Sequence, residues 1–233
     1  ADPGGGMRFG KAVLAALALL FATSAAAAPA APDHRLSVIE SAEGWTFGKA
    51  NAPLLAEYAS YGCPHCGQFA AATTERIDRL VRAGKLRFAW RPFLIFPQDR
   101  AAAVLTRCIA APRRLDFIKA LMAQQSAIQA SLQAADRDER LRSALFEAEL
   151  RGPVDHSAAI AKAAGLLPLA ESFGLMRPQA NACLSSAANH DWVTEADMAA
   201  RLGGITGTPT YSWKGNRLAR TITPDELLAL LPL

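Results

Sequence analysis

The chain has 233 residues, 51% of them hydrophobic, and 25 Lys and Arg set against 21 Asp and Glu give a formal net charge of +4. That is ample for a sizeable core in one compact unit, somewhat larger than an average domain. The charges are interspersed and no basic cluster interleaves with aromatics, so nucleic acid is not an expected partner.

Residues 1–6 precede a plausible start at Met7 and read as a cloning remnant. Arg8 and Lys11 then form a basic region, Ala12 to Ala22 an apolar stretch, and Ser24 to Ala28 a run of small residues suited to A-x-A cleavage. This is the pattern of a signal peptide, which places residues 1–28 outside the fold; the apolar stretch is short for a membrane span. Pro29 to Pro32 reads as a lead-in, too short for a separate dimerisation domain. Arg35 to Ile39 fits a short first strand, and Trp45 to Pro53 a loop approaching the central strand.

Leu54 to Ala59 reads as a buried parallel strand with one misfit, Glu57. A carboxylate there costs free energy unless it is solvated or paired. It either faces a polar edge or is a buried acid placed to move a proton. Cys63-Pro64-His65-Cys66 follows, and then a helical pattern from Gly67 to Ala83, with Phe69, Ile77, Leu80 and Val81 on one face and Gly84 as the stop. The two cysteines therefore sit where a strand turns into a helix. Unpaired N–H groups and the helix dipole favour an anion at that point. Protonated His65 would stabilise a Cys63 thiolate further. Cys63, at the exposed tip, is expected to be the attacking and attacked sulfur, and Cys66 the resolving one.

Other uses of this spacing fit less well. Zinc binding lacks a second closely spaced pair, and haem attachment lacks a His after Cys66, where Gly67 stands. A purely structural bond would close almost no loop. The four Met and four His are too few to suggest a copper carrier. Thiol redox chemistry is the expected activity, with no metal and no organic cofactor.

Leu86, Phe88 and Trp90 alternate with Arg87, Ala89 and Arg91 in a further strand, ended by Pro92 and Pro97. From about Gln98 to Asn189 the pattern is helical. Phe117, Leu121, Ile128 and Leu132 keep helical spacing, Leu141, Leu145 and Leu150 suggest another helix, and Ile160 to Ala164 one more. Gly152-Pro153 and Gly165 are breaks. Cys108 and Cys183 both fall in this region, and an even cysteine count in an exported chain favours a bond between them. Closing 75 residues, it would contribute on the order of 3–4 kcal/mol and pin the end of the region to its first helix. His34, His156 and His190 are expected at the surface, and Trp192 and Met198 in the core. Gly203, Gly204 and Gly207 lead to Thr208-Pro209. Thr210 to Trp213 and Arg217 to Ile222 fit a hairpin turning at Gly215-Asn216, and Thr223 caps a last helix with Pro224 in its first turn.

Glu57-Tyr58-Ala59-Ser60-Tyr61-Gly62-Cys63-Pro64-His65-Cys66 resembles the active-site stretch of the DsbA family, thioredoxin-fold disulfide oxidoreductases of the bacterial periplasm. Gly204-Ile205-Thr206-Gly207-Thr208-Pro209-Thr210-Tyr211 resembles that family's cis-proline loop. The similarity spans roughly Thr46 to Leu231. It implies an α/β thioredoxin-like fold of about five strands with an inserted α-helical domain. Its first thioredoxin-like segment would be residues 29–97, the insertion 98–189 and the second segment 190–233. It also implies a cis Thr208–Pro209 bond beside Cys63, with Thr208, Pro209 and Pro64 meeting an extended substrate peptide. The acid that family members carry at the place of Glu57 implies proton transfer to Cys66. Some members carry another acid where Ala70 stands here, which leaves proton handling to Glu57.

The implied function is a periplasmic thiol:disulfide oxidoreductase. It would be a monomer that donates the Cys63–Cys66 disulfide to reduced, unfolded exported proteins and is reoxidised by a membrane partner. Thr208 resembles isomerase-type members more than the Val of the best-known oxidases, so a disulfide isomerase or reductase is the nearest rival. A thiol-metal carrier or a peptide-binding chaperone stands behind it.

Overall fold

The computed structural model describes residues 36–232 together with residue 1; the signal-peptide pattern, the lead-in, His34 and Arg35 lie outside the described residues. Strands β1 (Val38–Ser41) and β2 (Gly44–Phe47) form a hairpin. Then β3 (Leu54–Ala59), α1 (Pro64–Arg82) and β4 (Arg87–Pro92) make a βαβ unit with β3 and β4 parallel. The helices α2 (Pro97–Cys108), α3 (Ala111–Ala123), α4 (Gln125–Arg137), α5 (Glu139–Arg151), α6 (Pro153–Ala163), α7 (Leu166–Ser172), α8 (Arg177–Leu184) and α9 (Ala187–Leu202) follow. The chain then returns to the sheet through β5 (Thr210–Trp213) and β6 (Asn216–Arg217) and ends in α10 (Pro224–Leu230). The strand order is β1-β2-β4-β3-β5-β6, so β3, which leads into the cysteines, lies inside the sheet between β4 and β5.

Local chemistry accounts for the elements nearest the cysteines. Leu55, Ala56 and Ala59 of β3 are buried, as a strand with neighbours on both sides requires. Pro64 opens α1, where its missing N–H is no loss and its fixed φ suits a helix. Thr73, Ile77, Leu80 and Val81 form the buried face of α1, and Gly84, at φ +71°, turns the chain out of it. The last helix has Thr223 as its expected cap, accepting from the Glu226 N–H, and Glu226 accepts in return from the Thr223 N–H, which completes a capping box.

Several elements differ from the sequence expectation. The stretch from Trp45 begins as a strand: Trp45 and Phe47 face Trp90 and Phe88 across β4 and are fully buried. Its alternation is only four residues long, and Gly44 at φ +136° places it too close to the Trp90 carbonyl to tolerate a side chain. The β5–β6 turn is Lys214-Gly215, at φ 49° and 85°, one residue earlier than expected; Asn216 pairs with Trp213, and β6 ends at Arg217. A two-residue loop with both φ positive matches the twist of the strands it joins. The Phe117-to-Leu132 pattern divides into two helices at Gln124. Helix α5 exists, but Leu141 and Leu150 are exposed, because it lies on the outside against α4 and α6 and buries Ala148 instead. Helix α9 runs through position 190, where the second thioredoxin-like segment is expected to begin.

Met198 is exposed, whereas Trp192 is buried with its ring 4.9 Å from that of Trp45. His190 is buried rather than at the surface; Nε2 lies 2.8 Å from the Leu184 carbonyl, and burial lowers its pKa. His156 is half-buried on α6.

The helices between β4 and β5 are fixed to the sheet by polar contacts. Glu40 of β1 accepts from Trp45 Nε1 at 2.9 Å, Arg107 Nε of α2 at 3.0 Å and Arg114 Nη1 of α3 at 3.2 Å. Cys108 and Cys183 are disulfide-bonded and tie the end of α2 to α8.

Candidate active site

Cys63 is the N-cap of α1, in extended backbone conformation, with Pro64, His65 and Cys66 forming the first helical turn. Cys63 and Cys66 are both free thiols. The Thr208–Pro209 bond is cis and brings the Thr208 carbonyl to 3.6 Å from Cys63 Sγ. Two stretches 145 residues apart therefore meet at one sulfur. Cys63 is not an exposed tip: with the cis-proline loop against it, it retains 6% of its accessible surface, and Cys66 retains none. Pro64 and His65 are exposed beside it, Pro209 is half-buried and Thr208 is buried.

The surroundings drive the two thiols apart. Cys63 is lowered from 9.0 to about 5, first by a hydrogen bond from Cys66 and then, against the cost of burial, by the Thr208 hydroxyl and the backbone N–H groups of Cys66 and His65. His65 thus contributes through its backbone. Cys66 is pushed well up by its hydrogen bond to the Cys63 sulfur, by burial and by the charge of nearby Glu57. A stabilised thiolate beside a protonated thiol is the arrangement that thiol–disulfide exchange requires.

Glu57 is the buried acid rather than the edge residue of the two sequence alternatives, with 4% of its surface accessible. It stands opposite Trp90 on β4 and Tyr211 on β5. Burial raises it from 4.5 to about 8, partly offset by the Tyr211 hydroxyl, with the Cys63 charge adding to the rise. Its Oε1 has no protein hydrogen-bond partner. In front of it is a cavity of about 20 Å³ between α1 and α3, reaching Thr74 and the Asp78–Lys119 ion pair, itself 2.9 Å long. That space accommodates about one water molecule.

Sequence reasoning missed the residues that hold the loop before Cys63. Asp99, fully buried near the start of α2, accepts from the Gly62 N–H at 3.0 Å, Ser60 Oγ at 2.8 Å, and the Ile95 and Phe96 N–H groups at 2.8 and 2.7 Å. Burial raises it to about 6, against the pull of those four bonds. Gln125, opening α4, donates through Nε2 to the Tyr61 carbonyl at 2.8 Å and the Cys63 carbonyl at 3.0 Å. The one available signal was Pro97 and Asp99, a proline and an acid in a first helical turn, which mark a helix start without revealing that Asp99 also reaches residues 60 and 62. Nothing local marks Gln125. Among the described residues, no group of three or more His, Cys, Asp and Glu side chains is placed to hold a metal ion.

The paired cysteines, the cis-proline loop and the sheet that joins them define a thioredoxin-type protein, and the thioredoxin family model matches residues 40–232. The chain belongs to that family. Its structural neighbours are DsbA-like thiol–disulfide oxidoreductases. A protein-disulfide isomerase from Novosphingobium aromaticivorans is 27% identical, with a TM-score of 0.65 over 76% of this chain and 89% of that one. MdbA, a thiol-disulfide oxidoreductase from Actinomyces oris, is 22% identical, with a TM-score of 0.54 over 82% and 85%. Wolbachia pipientis alpha-DsbA1 is 21% identical, with a TM-score of 0.54 over 72% and 74%. No curated protein sequence matches the chain.

Proposed function

We propose that this thiol–disulfide oxidoreductase is exported to the periplasm and donates the Cys63–Cys66 disulfide to reduced, unfolded proteins there. The observation that carries the reading is the position of Cys63: an N-cap sulfur against a cis-proline loop, with hydrogen-bond donors that favour its thiolate. A substrate thiolate attacks Cys63 Sγ. The Cys63–Cys66 bond breaks, a substrate–Cys63 disulfide forms, and Cys66 leaves with the electron pair and takes up a proton, for which protonated Glu57 is the nearby source. A second substrate thiolate attacks the substrate sulfur of the mixed disulfide and expels Cys63 as a thiolate. The substrate has lost two electrons and the protein has gained them; a membrane partner takes them in turn. Pro64, Thr208 and Pro209 border the sulfur on the side where an extended substrate would lie, and the chain acts as a monomer.

A fall of Cys63 from 9.0 to about 5 stabilises the dithiol form by about 5 kcal/mol before solvent screening, and on the order of 2–3 kcal/mol after it. That is roughly 50 mV of added oxidising power. Equilibration with a glutathione series tests the reading: a potential of about −180 mV or higher supports a donor, whereas one near −270 mV defines a reductase and refutes donation. Thr208 ahead of the cis proline, and the isomerase among the neighbours, favour disulfide isomerisation as the second reading. Recovery of activity by a scrambled substrate, faster with the dithiol form than with the disulfide form, would select it.

A further inference from the structure

A cavity of about 210 Å³ opens beside the cis-proline loop. Phe69 and Tyr211, with ring centroids 5.3 Å apart, form an apolar wall with Pro209 and Ile222, His65 and Thr208 complete the lining toward Cys63, and no acidic side chain lines it. One edge is cationic. The guanidinium of Arg220 lies against Gly207, where an added Cβ would come within 2.6 Å of Nη2 and 2.7 Å of Nη1. It donates to Thr206 Oγ1 at 3.2 Å and has no carboxylate partner among the described residues. A guanidinium carries five N–H donors, so this one keeps most of them free at the rim. Arg217, next along the same edge, instead donates to the Gly203 and Gly204 carbonyls.

We propose that Arg220 is a specificity-determining residue that receives a carboxylate of the substrate polypeptide within two residues of its reactive cysteine. The proposal rests on the reading that substrate thiols react at Cys63. Gly207 immediately precedes Thr208, whose carbonyl is 3.6 Å from Cys63 Sγ. An extended substrate advances about 3.3 Å per residue, so a side chain above Gly207 belongs to a position one or two residues from the cysteine. The planar fork of an arginine fits an Asp or Glu carboxylate through two parallel hydrogen bonds. Apolar walls and an unpaired cation without a competing acid thus suit a short acidic side chain better than a basic one.

The test uses the oxidised full chain and synthetic peptides with two cysteines, each flanked by Glu, Gln or Lys, with oxidation followed by mass. Glu peptides should exceed their Gln counterparts roughly two- to fivefold in kcat/KM at low salt, the range of an exposed ion pair, and the gap should close near half-molar salt. Arg220→Gln should bring the Glu and Gln peptides together, and Arg220→Lys should restore part of the difference. Equal rates for all three peptides, or a Glu preference that survives Arg220→Gln, would overturn the subsite. Failure to oxidise any peptide above the uncatalysed rate overturns the parent reading as well, which separates the two failures.

Discussion

Replacing Glu57 with Gln tests whether a carboxyl group in the sheet beneath the cysteines governs the response of the protein to pH. Its pKa is raised from 4.5 to about 8, chiefly by burial, so the folded state binds this proton more tightly than the unfolded state. For such an acid, stability is greatest below pH 4.5 and falls as pH rises toward 8, where the folded carboxyl finally ionises. The whole interval corresponds to on the order of 5 kcal/mol, and at pH 7 the wild-type protein has already lost roughly 3 kcal/mol of it. The amide of the variant keeps the shape and cannot ionise, so Glu57→Gln should match or slightly trail the wild type near pH 4 and exceed it by about 3 kcal/mol at pH 7. The measurement is urea unfolding of both proteins in the disulfide form, where neither Cys63 nor Cys66 titrates. Asp99, raised to about 6, also changes protonation in this interval, but it is present in both proteins and cancels in the difference. Parallel stability curves for the two proteins from pH 4.5 to pH 9 would refute the buried-acid reasoning outright. The same variant should slow proton uptake by Cys66 on the order of 10²-fold, the usual contribution of a positioned acid.

Thr208→Val keeps the shape of the side chain and removes the hydroxyl that favours the Cys63 thiolate. The Cys63 pKa should rise, read as iodoacetamide reactivity against pH, while stability changes by under about 1 kcal/mol; an unshifted profile would remove Thr208 from the electrostatics of the sulfur. Changing both Cys108 and Cys183 to Ser should cost about 4 kcal/mol, the chain-entropy value for a 75-residue loop, without abolishing thiol exchange. Reduction that opens Cys63–Cys66 should leave Cys108–Cys183 closed, and alkylated peptides showing both pairs opening together would count against that bond as a fixed structural tie.

What could be read from the sequence was local. The strand-to-helix turn at Cys63 and the Thr223 cap followed by Pro224 each depend on neighbours a few positions away, and each lies where the sequence places it. The strand at Gly44–Phe47 could not be read this way, because its identity comes from pairing with β4 and its four residues carry too little periodicity. The exposed leucines of α5 misled for the converse reason: helical spacing reports a helix but not which face meets a neighbour. Two alternatives for Glu57 stayed open until β4 and β5 were seen on either side of it. Asp99 and Gln125 were illegible because their partners in the cysteine loop lie 37 to 39 and 62 to 64 residues away.

Those two residues carry a consequence for the whole design. The loop from Ser60 to Cys63 is gripped from outside, by a carboxylate at the start of α2 and an amide at the start of α4. The helical region is therefore a fixture of the reactive sulfur as well as a wall beside it. Redox tuning can be inherited through residues far from the CPHC tetrad. A foreign helical insert grafted between β4 and β5 without an acid at the place of Asp99 would strand the Ser60 hydroxyl in a dry interior, at a cost of about 1–3 kcal/mol, and leave the Gly62 N–H only its longer bond to Ser60 Oγ, so that both groups lose a strong acceptor. The loop would settle differently to recover them, and the nucleophile would move with it. Exchanging that region between relatives should thus transfer a potential along with a surface.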